Sequence, residues 1–218
     1  MRVEDADVVV VGGGPVGLTL AIDLAGRGVK VLVAETRAFD EAPNVKCNHV
    51  AARSMEQYRR LGFVAKVRDA GLPPDFPNDV AFRTTVTGLE LTRIPIPCRA
   101  ERYTARGGPD TDWPTPEPPH RINQLYFEPI LRAHAATLAN IRLLHRTRVD
   151  AIEGAGAGGS RPVRLAATDV ESGERLELRG TYVVGCDGGS STVRKQIGAR
   201  LDGTPVIQRV QSTYIRAP

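Results

Sequence analysis

Asp7-Val8-Val9-Val10-Val11-Gly12-Gly13-Gly14-Pro15-Val16-Gly17-Leu18 is the stretch whose reading decides the fold. Its run of β-branched residues has the composition of a strand buried on both faces, and glycines at G-x-G-x-x-G spacing follow it directly into a helical pattern. Gly12 is expected to permit a tight turn, Gly14 to let the backbone come close to a pyrophosphate, and Gly17 to let the helix pack tightly on the strand. Pro15 falls in the first helical turn, where its φ is already suitable and its missing N–H is no loss. The exposed amides and the positive end of the helix dipole would then face anionic phosphates.

Val16, Leu20 and Leu24 share one face of that helix, with Gly17 and Ala21 forming a small-residue strip beside it. Gly26-Arg27-Gly28 supplies the stop. Val29 to Ala34 reads as a second buried strand ending in Glu35. In a β-α-β unit a carboxylate at this strand tip lies near an adenosine ribose. It accepts hydrogen bonds from two hydroxyls and repels a 2′-phosphate, so FAD or NAD is favoured over NADP in this slot.

Composition narrows the function classes. Hydrophobic residues make up 41% and charged residues 25% of 218, ordinary globular usage, so disorder is excluded. The net charge of +4 is spread along the chain rather than gathered into a stripe, which argues against a nucleic-acid partner. The apolar stretch Val8 to Ile22 contains three glycines and a proline and is stopped by Asp23, so no membrane span or membrane partner is expected. Three cysteines without C-x-x-C spacing point to neither a disulfide framework nor a metal knuckle, and a reducing cytoplasm fits them best. No metal site is expected: His49, His120 and His145 are isolated, and His134 lies on an apolar helical stripe where a core histidine is the simpler reading.

Further along, residues 38 to 50 read as loop and Ala51 to Leu61 as a helix closed by Gly62, with Met55, Tyr58 and Leu61 inward and Arg59 and Arg60 solvated. After the proline-rich break at Pro73-Pro74, Val80 to Pro97 reads as short strands around Thr87-Gly88, and a Pro/Gly-rich loop runs from Gly107 to Pro119. Asn123 is a plausible N-cap for a helix carrying Phe127, Ile130, Leu131, His134 and Leu138. Ile141 to Leu144 fits a third strand of the main sheet. Thr147 to Glu153, Val163 to Val170 and Arg175 to Leu178 read as an antiparallel meander, with turns at Gly154 to Gly159 and Ser172-Gly173. Thr181 to Val184 returns to the parallel sheet and runs into Gly185-Cys186-Asp187-Gly188-Gly189-Ser190-Ser191.

The order of three features resembles the aromatic-ring hydroxylases of the para-hydroxybenzoate hydroxylase type, single-component FAD monooxygenases, and especially their phenol and polyketide hydroxylase branch. They are the glycine fingerprint with Glu35, the helix opening at Gln124, and the turn from Gly185 to Arg194. Asp187-Gly188 with Ser191 and Arg194 is similar to that family's Asp-Gly motif, and Ala52-Arg53-Ser54-Met55-Glu56 to its segment with an FAD-contacting arginine. Gln124 with Phe127, Glu128 and Leu131 matches its Gln-x-x-hydrophobic-Glu helix start.

The resemblance implies an α/β fold: a Rossmann-like FAD-binding domain with a parallel sheet and an antiparallel meander, plus the start of a strand-rich substrate domain. Residues 1–75 and 120–200 would form the FAD-binding parts, 76–119 an excursion into the substrate domain, and 201–218 the start of a return to it, with Gln208 to Arg216 as a strand. The implied function is hydroxylation of a small aromatic, phenol-like substrate with FAD as cofactor, NADPH or NADH as co-substrate, and dioxygen. The cofactor-binding set is Gly12, Gly13, Gly14, Pro15, Gly17, Glu35, Arg37, Arg53, Gln124 and Asp187, with Arg194 bracing its motif; no residue is singled out as catalytic. The family's later Gly-Asp motif has no match, so the chain reads as the N-terminal portion of a longer enzyme, or one needing a partner chain or a second copy. An NAD-dependent dehydrogenase domain and a catalytically silent FAD-binding module are the alternatives; the Asp187 turn and the meander argue against the dehydrogenase.

Overall fold

A computed structural model describes residues 2–43, 45–154, 162–204 and 206–209. In chain order the elements are β1 (Arg2–Val11), α1 (Pro15–Gly26), β2 (Val31–Ala34), β3 (His49–Val50), α2 (Ala52–Arg60), α3 (Val64–Asp69), β4 (Val80–Arg83) and β5 (Glu90–Ile94). There follow β6 (His120–Arg121), α4 (Gln124–Ala136), β7 (Ile141–Leu144), β8 (Thr147–Glu153), β9 (Val163–Asp169), β10 (Arg175–Gly185) and α5 (Thr192–Gln196). The chain divides into two units, one of residues 1–43 with 131–218 and one of residues 44–130, the boundary falling within α4.

The first unit is built on a six-stranded sheet in the order β7-β2-β1-β10-β9-β8. β1 pairs in parallel with β2 and β10, and β2 in parallel with β7, while β9 is antiparallel to both β10 and β8. This is the expected α/β class with a parallel sheet and an antiparallel meander. The valine run is buried on both faces, as its composition demands. Val8 and Val10 pack with Ala21, Val31 and Val33, whereas Val9 and Val11 pack with Leu32, Leu165, Leu178 and Val193. Each such buried valine contributes about 1.5–3 kcal/mol of transfer free energy, so the strand feeding the glycine turn is a rigid support.

Two local expectations need correction. The apolar stripe of α1 is not its buried face at the start of the helix: Val16 is 71% exposed, and Gly17, Leu18, Ala21 and Ile22 are the buried residues. Small side chains let the helix axis approach the sheet, so the small-residue strip takes the inner position. Likewise, Arg175 to Leu178 and Thr181 to Val184 are one continuous strand rather than two. Residues 175–180 of β10 pair with β9 on one edge, while the strand pairs with β1 along its other edge from Arg2↔Leu176 to Val11↔Gly185. Gly180, between the two expected strands, permits close approach: a Cβ there would lie 2.9 Å from the Val9 side chain. The turn at Gly154 to Gly159 and the strand at Gln208 to Arg216 lie largely outside the described residues.

The second unit, residues 44–130, has its own small core. Met55, Tyr58, Phe63, Val67, Ile122 and Phe127 are buried, with the Tyr58 ring 5.1 Å from Phe63 and 5.3 Å from Phe127. The inward positions Met55 and Tyr58 and the exposed Arg59 and Arg60 on α2 are as the periodicity predicts, and Gly62 ends the segment at φ +86°. α3 was not anticipated. β4 and β5 form the hairpin expected around Thr87-Gly88, and β3 pairs antiparallel with β6. Asn123 caps α4 as predicted, its Oδ1 accepting the Leu125 N–H at 3.0 Å.

Candidate cofactor site

The end of β1 and the end of β10 meet beneath the glycine turn. The Cys186 N–H donates to the Val11 carbonyl at 2.7 Å, and Gly12, at φ +105°, passes so close that a Cβ would sit 2.5 Å from the Cys186 carbonyl oxygen. Gly12 therefore does two things: it makes the turn and it accepts a second turn stacked against it. Gly17 meets the expectation of tight packing, since a Cβ there would lie 2.0 Å from the Gly12 carbonyl oxygen and 3.2 Å from Val10.

Gly14 differs from both. It is the N-cap of α1 at φ −77°, so its backbone needs no glycine, and a Cβ built on it meets nothing within 4 Å. Pro15 follows in the first turn; α1 has no side-chain cap bond and no acidic residue in that turn. What a side chain at Gly14 would fill is open space before uncapped amides, the environment that an anionic diphosphate requires. The residues present fit the pyrophosphate of FAD on this ground.

Glu35 is fixed by its own neighbours. Its Oε2 accepts the Gly13 N–H at 2.7 Å, and its Oε1 accepts both the Arg37 N–H and the Arg37 Nε–H at 3.0 Å. Burial would raise this carboxyl, yet the Arg37 side-chain bond, the Arg37 and Gly13 amides and the Arg37 charge outweigh it and hold Glu35 below the usual carboxylate range. The carboxylate is thus ionised at neutral pH and pinned to the loop it serves. A carboxylate oxygen accepts two bonds, so Oε2 keeps a further lone pair beside the Gly13 bond. The clamping of Gly13 by Glu35 escaped sequence reasoning; the signal was only the co-occurrence of fingerprint and acid.

Asp187 occupies the second turn. Its Oδ2 accepts the Thr192 N–H at 2.6 Å and the Val193 N–H at 3.2 Å, while its Oδ1 accepts the Ser191 hydroxyl, so the carboxylate opens α5 from below. Burial works to raise its pKa, but the Ser191 hydroxyl and the backbone donors hold it below the ordinary value. Arg194 donates to the Gly189 carbonyl at 2.9 Å and braces the turn as expected. Cys186 beside it is a free thiol pushed up by burial and by the Asp187 charge.

Gly12, Gly13, Gly14, Pro15, Gly17, Glu35, Arg37 and Asp187 all belong to the first unit, and Arg53 and Gln124 to the second. Arg53 is exposed on the first turn of α2, and Gln124, the first residue of α4, donates through Nε2 to Glu128 at 2.8 Å. Among the described residues no His, Cys, Asp and Glu cluster suits a metal ion, and no helix is long and apolar enough to cross a membrane.

Residues 5–217 match the family described as FAD binding domain. The chain is 31% identical over 205 residues to the FAD-dependent monooxygenase apdD of Emericella nidulans, covering 91% of this chain and 31% of that protein. It is 32% identical over 202 residues to a 3-(3-hydroxy-phenyl)propionate/3-hydroxycinnamic acid hydroxylase of Mycobacterium sp., covering 92% of this chain and 31% of the relative. The solved structure of the rebeccamycin biosynthetic enzyme RebC with reduced flavin superposes with a TM-score of 0.76 at 35% identity, over 89% of this chain and 35% of that one. The chain spans about a third of the length of the curated relatives it matches.

Proposed function

This chain belongs to the FAD binding domain family, and from that premise we propose that it is the FAD-binding portion of a flavoprotein monooxygenase that hydroxylates a small aromatic, phenol-like substrate. The observation that carries the reading is the Gly14 position, open space before an uncapped helix start with an ionised Glu35 tied to the adjoining amide. Relatives named as FAD-dependent monooxygenase and as hydroxylase of a hydroxyphenyl acid support the reaction class.

In this reading the amides of the Gly14 turn and the α1 dipole hold the pyrophosphate, and Glu35 holds the adenosine ribose with Arg37 keeping its carboxylate oriented. Arg53 and Gln124 contact the pyrophosphate and ribityl regions, and Asp187 uses the lone pair left on Oδ1 while holding its turn rigid. When bound, FAD supplies the redox chemistry, taking electrons from NADPH or NADH and activating dioxygen for transfer of one oxygen atom to the ring. The chain's contribution is binding, orientation and a fixed charge pattern. Residues 76–119 and 201–218 would belong to a substrate domain completed elsewhere, by further sequence or by a second copy. The free Cys47, Cys98 and Cys186 suit a cytoplasmic setting.

The test has two stages. The purified chain should be yellow and release FAD on denaturation; colourless protein that fails to take up added FAD would sink the proposal. The longer protein containing it should then oxidise NADPH or NADH faster when phenols are present, and indifference to every phenol tried would leave only a binding module.

A further inference from the structure

Oε1 of Glu35 takes both of its bonds from one residue, the N–H and the Nε–H of Arg37. A displacement of the Arg37 backbone would therefore loosen both at once, and what holds that backbone decides where the carboxylate points. The Arg37 carbonyl accepts the Arg146 N–H at 3.1 Å and stands 3.2 Å from His145 Nδ1. A carbonyl can only accept, so the His145 proton lies on Nδ1 and the bond runs from the imidazole to the Arg37 backbone. The same two segments are laced together elsewhere: the Glu35 N–H donates to the Leu144 carbonyl and the Thr147 N–H to the Glu35 carbonyl, each at 2.9 Å. His145 adds a side-chain bond to that backbone lacing, at the point nearest the Arg37 donors.

The His145 ring also supports the loop that follows. Its centroid lies 5.1 Å from that of Phe39 in an edge-to-face arrangement at 84°, and the Arg132 guanidinium stands 5.4 Å from the same Phe39 centroid. Phe39 is 52% exposed, so these neighbours supply much of what fixes it. Burial and the Arg132 and Arg37 charges outweigh the Arg37 carbonyl and the Glu35 charge and hold His145 below its ordinary value, so the ring is neutral at neutral pH. Its Nε2 is buried without a hydrogen-bond partner among the described residues, which leaves Nδ1 as the nitrogen that acts.

We propose that His145 is a positioning residue: through the Arg37 carbonyl it sets the orientation of the Glu35 carboxylate, and with it the grip on a nucleoside ribose. The ribose part of this inference rests on the FAD reading, whereas the control of Glu35 does not. A histidine that only filled space could be exchanged for any side chain of similar bulk; one that acts through its Nδ1 proton could not.

The experiment uses the 218-residue chain freed of flavin and reads two quantities, FAD affinity by fluorescence titration and the Glu35 carboxyl titration by carbon NMR, assigned with Glu35→Gln. His145→Leu should weaken FAD about three- to tenfold, the scale of one neutral hydrogen bond, and move the Glu35 titration upward as the Arg37 donors loosen. His145→Asn, whose amide nitrogen stands where Nδ1 stood, should bring both back toward the unmodified values; His145→Gln, whose nitrogen reaches the Nε2 position instead, should not. In a Glu35→Ala background, His145→Leu should leave FAD affinity unchanged, because the path ends on that carboxylate. If His145→Leu does not fold, the Asn and Gln variants decide alone. An unmoved Glu35 titration, equal behaviour of the Asn and Gln variants, or a His145→Leu penalty that persists with Glu35→Ala would each overturn the proposal. A chain that takes up no FAD while Glu35 still responds to His145 would count only against the flavin reading.

Discussion

Around the glycine turn, both carboxylates have already found their donors: Glu35 holds Gly13 and Arg37, and Asp187 holds Ser191, Thr192 and Val193. Within residues 44–130, side-chain nitrogens of Arg99, Arg102 and Arg121 are buried without a hydrogen-bond partner among the described residues. The carboxylates of the first region are already satisfied, while its glycine turn offers uncapped backbone amides on a rigid frame. The second is built from side-chain donors, several of them left without an acceptor among the described residues. A frame made of backbone tolerates no change of shape, whereas guanidinium side chains can turn to other acceptors.

The most disruptive way to probe the contrast is Gly14→Asp, which puts a side chain and a negative charge where the phosphates would lie. FAD occupancy of the purified protein, followed in the flavin absorbance bands, should fall to background, and equal occupancy in mutant and unmodified protein would contradict the assignment. Gly17→Ala probes the frame rather than the ligand. Its methyl would strike the Gly12 carbonyl at 2.0 Å, so unfolding free energy from urea titration should drop by about 1–3 kcal/mol, the range typical of overpacking. Glu35→Ala should weaken FAD by about 1.5–3 kcal/mol through loss of a charged acceptor, and an unchanged dissociation constant would remove the ribose role.

The smallest effect is on pH. Glu35 and Asp187 are both held below their ordinary values of 4.5 and 3.8 in the fold, so the unfolded chain binds more protons than the native one in that range. Their contribution to stability is present above about pH 4.5 and is lost as pH falls through the lowered native values. Urea midpoints should therefore decline from pH 6 to pH 3, and Glu35→Gln should remove part of the slope.

Much of the first region was legible in the chain because its signals are local. The valine run, the glycine spacing and Glu35 at the next strand tip each lie within a few residues of what they determine. Val16 misled because apolar periodicity does not distinguish a face that touches the sheet from one that a small-residue strip displaces. Arg175 to Leu178 and Thr181 to Val184 read as two strands because one edge pairs with the meander and the other with β1, a division of partners that local sequence does not carry. The arginine corner was not legible: Arg99, Arg102 and Arg121 converge through the fold of residues 44–130, and no spacing rule links them.

The pairing of β1 with β10 also has a kinetic meaning. The seat of Gly12 against the Cys186 carbonyl joins the first strand to one that leaves the ribosome about 170 residues later, a contact of very high order. During synthesis the valine run must wait, with its neighbour β2 but without its central partner, until nearly the whole unit has emerged. The glycine turn is therefore among the first parts made and among the last completed, since its seat against Cys186 forms only once β10 has emerged.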